Sequence, residues 1–173
     1  VAWHDARLRA VPVASLLLEY ALRSPKAFFR PLAVGAPAPL YDVPFRPSRM
    51  IHFFDPSNER MAAKVPDIAA QVDVLLGNLE DAIPADKKEA ARDGLVAIAQ
   101  STDFGSTQLW TRINSLDSPW VLDDLLTLVP AIGEKLDVIM VPKVEGAEDI
   151  HYIDRLLAQL EAKAGITRPI LVH

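Results

Sequence analysis

Five short apolar runs, separated by segments with helical periodicity, dominate the chain from residue 50 onward. The runs are mostly unbroken and do not alternate with polar residues, which is typical of parallel strands buried on both faces. Their spacing is close to the length of one strand–helix unit. The pattern predicts strands at Met50–Phe54, Val72–Leu76, Leu109–Ile113, Val138–Val141 and Ile170–Val172.

Start and stop signals predict where the helices between these runs begin and end. Asp86 with Glu89 has the pattern of an N-cap and capping box for a helix that runs to about Ser101. Ser118 before Pro119 has the pattern of an N-cap followed by proline at the first helical position. Two glycines stand where the last two helices are expected to end, Gly133 and Gly165.

The strand–helix alternation is compatible with two α/β fold classes, a (β/α)8 TIM barrel and an open, doubly wound sheet. Periodicity alone does not choose between them. The turn after the first predicted strand, residues 55–58, lacks the glycine fingerprint of a dinucleotide site, which disfavours the doubly wound sheet. The chain has 173 residues, whereas a complete barrel usually needs about 250.

The first 48 residues differ in composition from the rest of the chain. They hold half of the 14 prolines, and residues 31–47 are too rich in proline for a long helix or a central strand. We therefore expect an irregular arm over residues 1–48, with one short helix around residues 15–23. An α/β domain of alternating strands and helices is expected over residues 49–173.

Composition narrows the class of protein and its chemistry. The net charge of −5 gives no sign of nucleic-acid binding. The sequence contains no cysteine, which excludes disulfides, thiolate metal sites and cysteine nucleophiles. No apolar run approaches the roughly 18 residues of a membrane span. We expect a cytoplasmic protein that binds neither nucleic acid nor membrane.

Polar residues follow four of the five predicted strands. The carboxyl ends of parallel strands form one rim, where α/β proteins carry their function. Carboxylates can hold a hard cation, and arginine can bind a substrate carboxylate with two hydrogen bonds. Each residue also has a purely structural interpretation, as a helix cap or as an ion pair such as Arg112 with Glu80 or Lys143 with Asp81. Their conjunction favours a functional site, and the candidates are Glu80, Asp81, Arg112, Asn114 and Lys143.

Lys143 also permits a different mechanism, a Schiff base of the kind that metal-free aldolases form. Nearby Glu80 and Asp81 argue against it, because carboxylates raise the pKa of a lysine and keep it protonated. The histidines have no metal-ligand spacing and are interpreted as structural: His4, His52, His151 and His173.

Four segments carry a resemblance to a known enzyme family. Residues 78–92, NLEDAIPADKKEAAR, resemble the DLEDAV…K..AR signature of the citrate lyase β-subunit and HpcH/HpaI aldolase superfamily, with Asn78 in place of its first acid. Residues 112–120, RINSLDSPW, and 135–145, KLDVIMVPKVE, are similar to malyl-CoA lyases. Residues 29–39, FRPLAVGAPAP, resemble the L-malyl-CoA/β-methylmalyl-CoA lyases of the 3-hydroxypropionate cycle. Residues 1–24 match no family pattern and are candidates for non-native sequence.

This resemblance implies a TIM barrel, of which the chain would hold about four βα units and the fifth strand. It implies reversible cleavage of malyl-CoA to glyoxylate and acetyl-CoA, or of β-methylmalyl-CoA to glyoxylate and propionyl-CoA. Mg²⁺ or Mn²⁺ is the implied cofactor, coenzyme A is part of the substrate, and the full-length protein is expected to form a homo-oligomer.

The resemblance also implies roles for individual residues. Arg112 would bind the glyoxylate-derived carboxylate, and Glu80 and Asp81 would hold the waters of the metal ion without ligating it directly. The direct ligands would follow His173, so the 173 residues alone are expected to be inactive. Residues expected to contact substrate or coenzyme A are Phe53, Asn58, Lys64 and Asn114, with Lys143 in support.

Other functions stay open on the same scaffold. A malyl-CoA thioesterase would use water to attack the thioester, and a citramalyl-CoA or citryl-CoA lyase would differ only in substrate. A non-catalytic fragment or scaffold is the alternative from another class.

Overall fold

The computed structural model describes residues 31–40, 42–43 and 45–173. The chain divides into two units, Val1–Arg30 and Pro31–His173, and every described residue belongs to the second. The helix expected around residues 15–23 lies outside the described residues. The described part of the arm, up to residue 50, contains no helix or strand.

The second unit is an α/β layer with a five-stranded parallel sheet. The strands are β1 (Ile51–Phe54), β2 (Val74–Asn78), β3 (Gln108–Arg112), β4 (Leu136–Met140) and β5 (Leu171–Val172). The helices are α1 (Glu59–Ala62), α2 (Val65–Ala69), α3 (Lys88–Ser101), α4 (Val121–Ile132) and α5 (Ala147–Ala164), and a 3₁₀ turn, Ala85–Lys87, precedes α3.

All five predicted strands are present, but the second and the fourth begin two residues away from their predicted starts. The second begins at Val74, not Val72, and continues through Gly77 and Asn78, because these residues pair with Thr111 and Arg112 of β3. The fourth begins at Leu136, before the predicted apolar run.

The predicted helix starts are wrong, whereas the predicted ends are confirmed. α3 begins at Lys88 after the 3₁₀ turn and has no side-chain cap, so Asp86 is not its N-cap. α4 begins at Val121, two residues after Pro119. Gly133 caps the end of α4, and Gly165 caps the end of α5. The φ of Gly165 is 70°, in the left-handed region that glycine adopts without strain.

Strand order separates the two fold alternatives. The order is β1-β2-β3-β4-β5, with no reversal of the kind that a doubly wound sheet requires. One face packs on the helices through residues such as Leu75, Leu95 and Leu128. The other face carries its own apolar cluster, centred on Leu76 and Trp110 and not covered by a helix of the described residues. This one-sided arrangement is that of a barrel wall.

Residues 46–49 cross the amino-terminal end of the sheet and are tied to it by ion pairs. Arg49 binds Asp73 at 2.8 Å, just before β2, and Arg46 binds Asp137 of β4 at 2.7 Å. Gln108 donates a hydrogen bond from its side chain to Pro47 O. The opposite, carboxyl end of the sheet is therefore the end left open for a site.

Candidate functional site

Arg112 ends β3 on the face of the sheet that no helix of the described residues covers, and three groups fix its guanidinium. Its Nε donates a 2.9 Å hydrogen bond to Oδ1 of Asn78, its register partner on β2. Its Nη2 lies 3.3 Å from a carboxylate oxygen of Glu80. The ring of Phe53, from β1, lies 5.5 Å from the guanidinium carbon, within the range of a cation–π contact. The side chain keeps 27% exposure, so part of the guanidinium remains accessible.

Glu80 is buried between two cations. Only 4% of the residue is exposed, and its backbone N–H donates to Oδ1 of Asn78. One carboxylate oxygen faces Arg112, and the other, Oε1, lies 2.9 Å from Nζ of Lys143. No described residue gives Oε1 a hydrogen bond of good geometry. A buried carboxylate oxygen in that state can still accept a hydrogen bond from a water or a substrate group.

Lys143 bridges Glu80 and Asp81, the latter at 3.0 Å. These two carboxylates raise the pKa of Lys143, with Glu80 the larger cause. The hydrogen bond from Lys143 in turn lowers the pKa of Asp81. The neutral amine that a Schiff base requires is therefore disfavoured. Lys143 also has a φ of 54°, a left-handed conformation that costs a non-glycine residue about 1 kcal/mol or more.

The four charged residues border one open cleft of about 670 Å³. The prediction that polar residues at successive strand ends meet at one rim is thus confirmed for Glu80, Asp81, Arg112 and Lys143. The remaining lining is mostly apolar and comes from the end of β4, the loop after it, α5 and the residue after β5: Met140, Val141, Pro142, Val144, Ile150 and His173.

Other predicted site residues lie elsewhere. Asn58 caps α1, accepting from the N–H groups of Arg60 and Met61. Lys64 is exposed just before α2, and its side chain makes no ion pair with the residues that the structure describes. Asn114 is buried beneath the rim and does not line the cleft. Contacts of these residues with coenzyme A or substrate stay predictions.

A buried polar network underlies the rim, and sequence reasoning gave it no role. Lys88, at the start of α3, is 5% exposed. Its ammonium donates to Leu79 O at 2.7 Å, Glu80 O at 3.1 Å and Asn114 Oδ1 at 2.6 Å. Burial lowers the pKa of Lys88, while Asp124 and Glu80 oppose that shift.

Asp124, on α4, completes the network. It is fully buried and accepts hydrogen bonds from the backbone and side-chain N–H groups of Asn114 and from Arg92 of α3. Burial raises the pKa of Asp124, and the hydrogen bonds from Asn114 and Arg92 offset part of that shift. The sequence signals for this network were Asn114, which was expected to contact substrate, and the K..AR end of the signature over residues 78–92, which holds Lys88 and Arg92.

The rim offers oxygen atoms that suit a supporting role around the implied metal ion. Mg²⁺ prefers oxygen ligands and keeps several of its waters. Glu80 Oε1, which is buried and paired with Lys143 but receives no well-aligned hydrogen bond from a described residue, and Asp81, with 71% of its side chain exposed, fit the task of holding such waters. Among residues 31–40, 42–43 and 45–173, no group of three or more His, Asp or Glu side chains could hold a metal ion directly. The fit is to a supporting role.

Barrel-type topology and a mixed-charge rim at the carboxyl ends of the strands define the class as an α/β protein with an enzyme-like site. Comparison with known proteins gives the family. Residues 49–172 match the HpcH/HpaI aldolase/citrate lyase family, and the chain belongs to it.

Individual relatives include two lyases and a thioesterase. The chain is 58% identical over 146 residues to a malyl-CoA/beta-methylmalyl-CoA/citramalyl-CoA lyase of Chloroflexus aurantiacus, covering 84% of this chain and 42% of that protein. It is 36% identical over 134 residues to an L-malyl-CoA/beta-methylmalyl-CoA lyase of Cereibacter sphaeroides, covering 78% and 40%. It is 34% identical over 111 residues to a (3S)-malyl-CoA thioesterase of that species, covering 64% and 37%. The chain thus spans less than half the length of these relatives.

No helix among the described residues is long and apolar enough to cross a membrane.

Proposed function

We propose that this chain forms the first half of a (β/α)8 barrel whose whole protein is a carbon–carbon lyase. Its substrates are malyl-CoA, cleaved to glyoxylate and acetyl-CoA, and β-methylmalyl-CoA, cleaved to glyoxylate and propionyl-CoA. The observation that carries the proposal is the accessible guanidinium of Arg112, fixed at the rim by Asn78, Glu80 and Phe53. The 58% identity to the Chloroflexus lyase supports it.

The proposed cleavage divides the substrate between a carboxylate fragment and a thioester fragment. One proton leaves the hydroxyl group, and the carbon–carbon bond beside it breaks as the carbonyl of glyoxylate forms. The electron pair of that bond passes to the thioester as an enolate, which takes a proton on carbon. Anionic fragments of this kind are stabilised by cationic groups fixed in advance.

Arg112 is proposed to bind the carboxylate that becomes glyoxylate. Its guanidinium is planar and always charged, which matches a planar carboxylate with two hydrogen bonds. The Asn78 and Glu80 contacts hold its orientation before substrate arrives, so little reorganisation is needed.

Glu80 and Asp81 are proposed to orient the water shell of Mg²⁺, with direct ligands supplied by residues other than those described. When bound, the ion would polarise the oxygens of the glyoxylate fragment as a Lewis acid. Lys143 holds both carboxylates in place by its two ion pairs, and its hydrogen bond lowers the pKa of Asp81.

The direct test uses a complete-barrel protein, meaning the chain continued through its remaining strands. It can be obtained as the whole protein or by joining the matched residues to the rest of the Chloroflexus lyase. Incubation with malyl-CoA and Mg²⁺ should release glyoxylate, trapped as its phenylhydrazone, and chelation should stop the release. A folded protein that consumes no malyl-CoA would contradict the proposal.

A thioesterase is the second candidate, because one relative bears that name at 34% identity. Water would then attack the thioester, so malate and free thiol would appear without glyoxylate. The same incubation separates the two functions when the free thiol is measured alongside glyoxylate.

A further inference from the structure

We propose that Lys88 is a positioning residue for Glu80, holding the turn after β2 so that the Glu80 carboxylate stays on Arg112. The inference rests on the proposed lyase function and adds a residue to it. Lys88 does not line the cleft, so it acts through Glu80 and not on substrate.

All three N–H groups of the Lys88 ammonium donate hydrogen bonds. An ammonium has three N–H groups and no acceptor. Those of Lys88 reach two consecutive backbone carbonyls, of Leu79 and Glu80, and the side chain of Asn114. The ring of Trp120 lies 5.1 Å from Nζ and adds a cation–π contact.

The second support is where these acceptors lie. The Glu80 peptide is held at both ends, since its N–H donates to Asn78 and its C=O accepts from Lys88 and from the N–H of Ile83. With the backbone fixed on both sides, the direction in which the Glu80 side chain leaves the turn is also fixed.

The third support is that Lys88 joins the two chain segments that carry the ion pair. Asn114 follows Arg112 by two residues and is itself locked by Asp124. Lys88 therefore ties the turn that carries Glu80 to the segment that follows Arg112. A displacement of about 1 Å at a catalytic group can cost about a hundredfold in rate, so loss of this tie should affect turnover even where the fold persists.

The chain supplies a matched control in the preceding residue. Lys87 is exposed, whereas Lys88 is buried. Lys87→Met and Lys88→Met remove the same charge and nearly the same atoms from adjacent positions. Only the second change removes the hydrogen bonds to Leu79, Glu80 and Asn114.

The test is a double-mutant cycle in the complete-barrel protein. Lys88→Met, Lys87→Met, Glu80→Gln and the Lys88→Met/Glu80→Gln pair are compared by kcat and by KM for malyl-CoA at saturating Mg²⁺. Circular dichroism confirms that each is folded. If Lys88→Met does not fold, Lys88→Gln, which keeps two donors, takes its place in the same cycle.

We expect Lys88→Met to lower kcat by about 10–100-fold, with KM changed much less, and Lys87→Met to leave both unchanged. The double variant should be no more than about threefold slower than Glu80→Gln, because residues that act through one another are not additive. Near-normal kcat in folded Lys88→Met, or losses that multiply in the double variant, would overturn the proposal while leaving the lyase function intact. A wild-type complete barrel that releases no glyoxylate would overturn both.

Discussion

Asn78 and Arg112 are register partners at the ends of β2 and β3, and Nε of Arg112 donates a 2.9 Å hydrogen bond to Oδ1 of Asn78. The same oxygen accepts from the backbone N–H of Glu80. A neutral amide thus orients the guanidinium without cancelling its charge. Among the described residues, Glu80 is the only carboxylate that forms an ion pair with Arg112, and it is shared with Lys143.

Asn78→Asp should therefore weaken substrate binding while preserving the fold. Aspartate has the same shape and accepts the same two hydrogen bonds, but it adds a negative charge beside Arg112. We expect KM for malyl-CoA to rise roughly tenfold in the complete-barrel protein, about 1.4 kcal/mol of binding. Unchanged KM in a folded variant would show that the charge at this position does not matter.

Arg112→Lys should lower turnover by at least about a hundredfold, as expected for loss of one preorganised electrostatic group. Lysine keeps the charge, but it cannot reproduce the planar fork or the contacts with both Asn78 and Glu80. Steady-state kinetics on complete-barrel protein, with thermal unfolding as the control for folding, make the comparison. Near-normal turnover in a stable variant would assign Arg112 a structural role.

Glu80 and Asp81 should differ in their effect on the metal ion. Glu80 is buried and receives cations on both sides, whereas Asp81 is mostly exposed. Glu80→Gln should raise the Mg²⁺ concentration for half-maximal activity by about 10–100-fold, the range for groups that support a metal indirectly. Asp81→Asn should have a smaller effect, and equal effects would contradict the distinction drawn from burial.

The buried carboxyl group of Glu161 should make the stability of the fold depend on pH. Its side chain is buried and accepts a 2.7 Å hydrogen bond from the N–H of Ile170. Burial raises the pKa of Glu161 above its ordinary value of 4.5. The folded state therefore binds the proton of Glu161 more tightly than the unfolded state does. The contribution of protonated Glu161 to the stability of the fold is complete below pH 4.5 and is lost as the pH rises through the raised pKa.

Glu161→Gln removes this titration, and its amide oxygen can still accept from Ile170. The variant should be more stable than wild type at pH 7, and the difference should shrink toward pH 4. Urea unfolding of the 173-residue chain at several pH values measures it, with exposed Glu148→Gln on the same helix as the control. A difference independent of pH would show that burial of the charge is not the cause.

The parts of the fold that depend on local sequence could be predicted. The unbroken apolar runs marked all five strands, and Gly133 and Gly165 marked the helix ends because their signals are local. The start of α3 could not be predicted from Asp86 and Glu89. The reason is that Lys88, the first residue of α3, is directed inward by a hydrogen bond to Asn114, which lies 26 positions further along the chain.

Part of the candidate site could likewise be predicted from the sequence, and part could not. Parallel strands place their carboxyl ends side by side, so the meeting of Glu80, Asp81, Arg112 and Lys143 followed from strand order. The burial of Asn114 could not be predicted from strand order, because it depends on a hydrogen bond with Asp124 in the next helix. The contacts proposed for Phe53, Asn58 and Lys64 with coenzyme A, and the homo-oligomer, stay predictions.

A time course of glyoxylate and free thiol, in one reaction of complete-barrel protein with malyl-CoA and Mg²⁺, shows whether the rim built around Arg112 belongs to a lyase. A lyase releases one glyoxylate per malyl-CoA consumed and no free thiol, because acetyl-CoA keeps the thioester. Free thiol that matches the malyl-CoA consumed, without glyoxylate, would contradict the account.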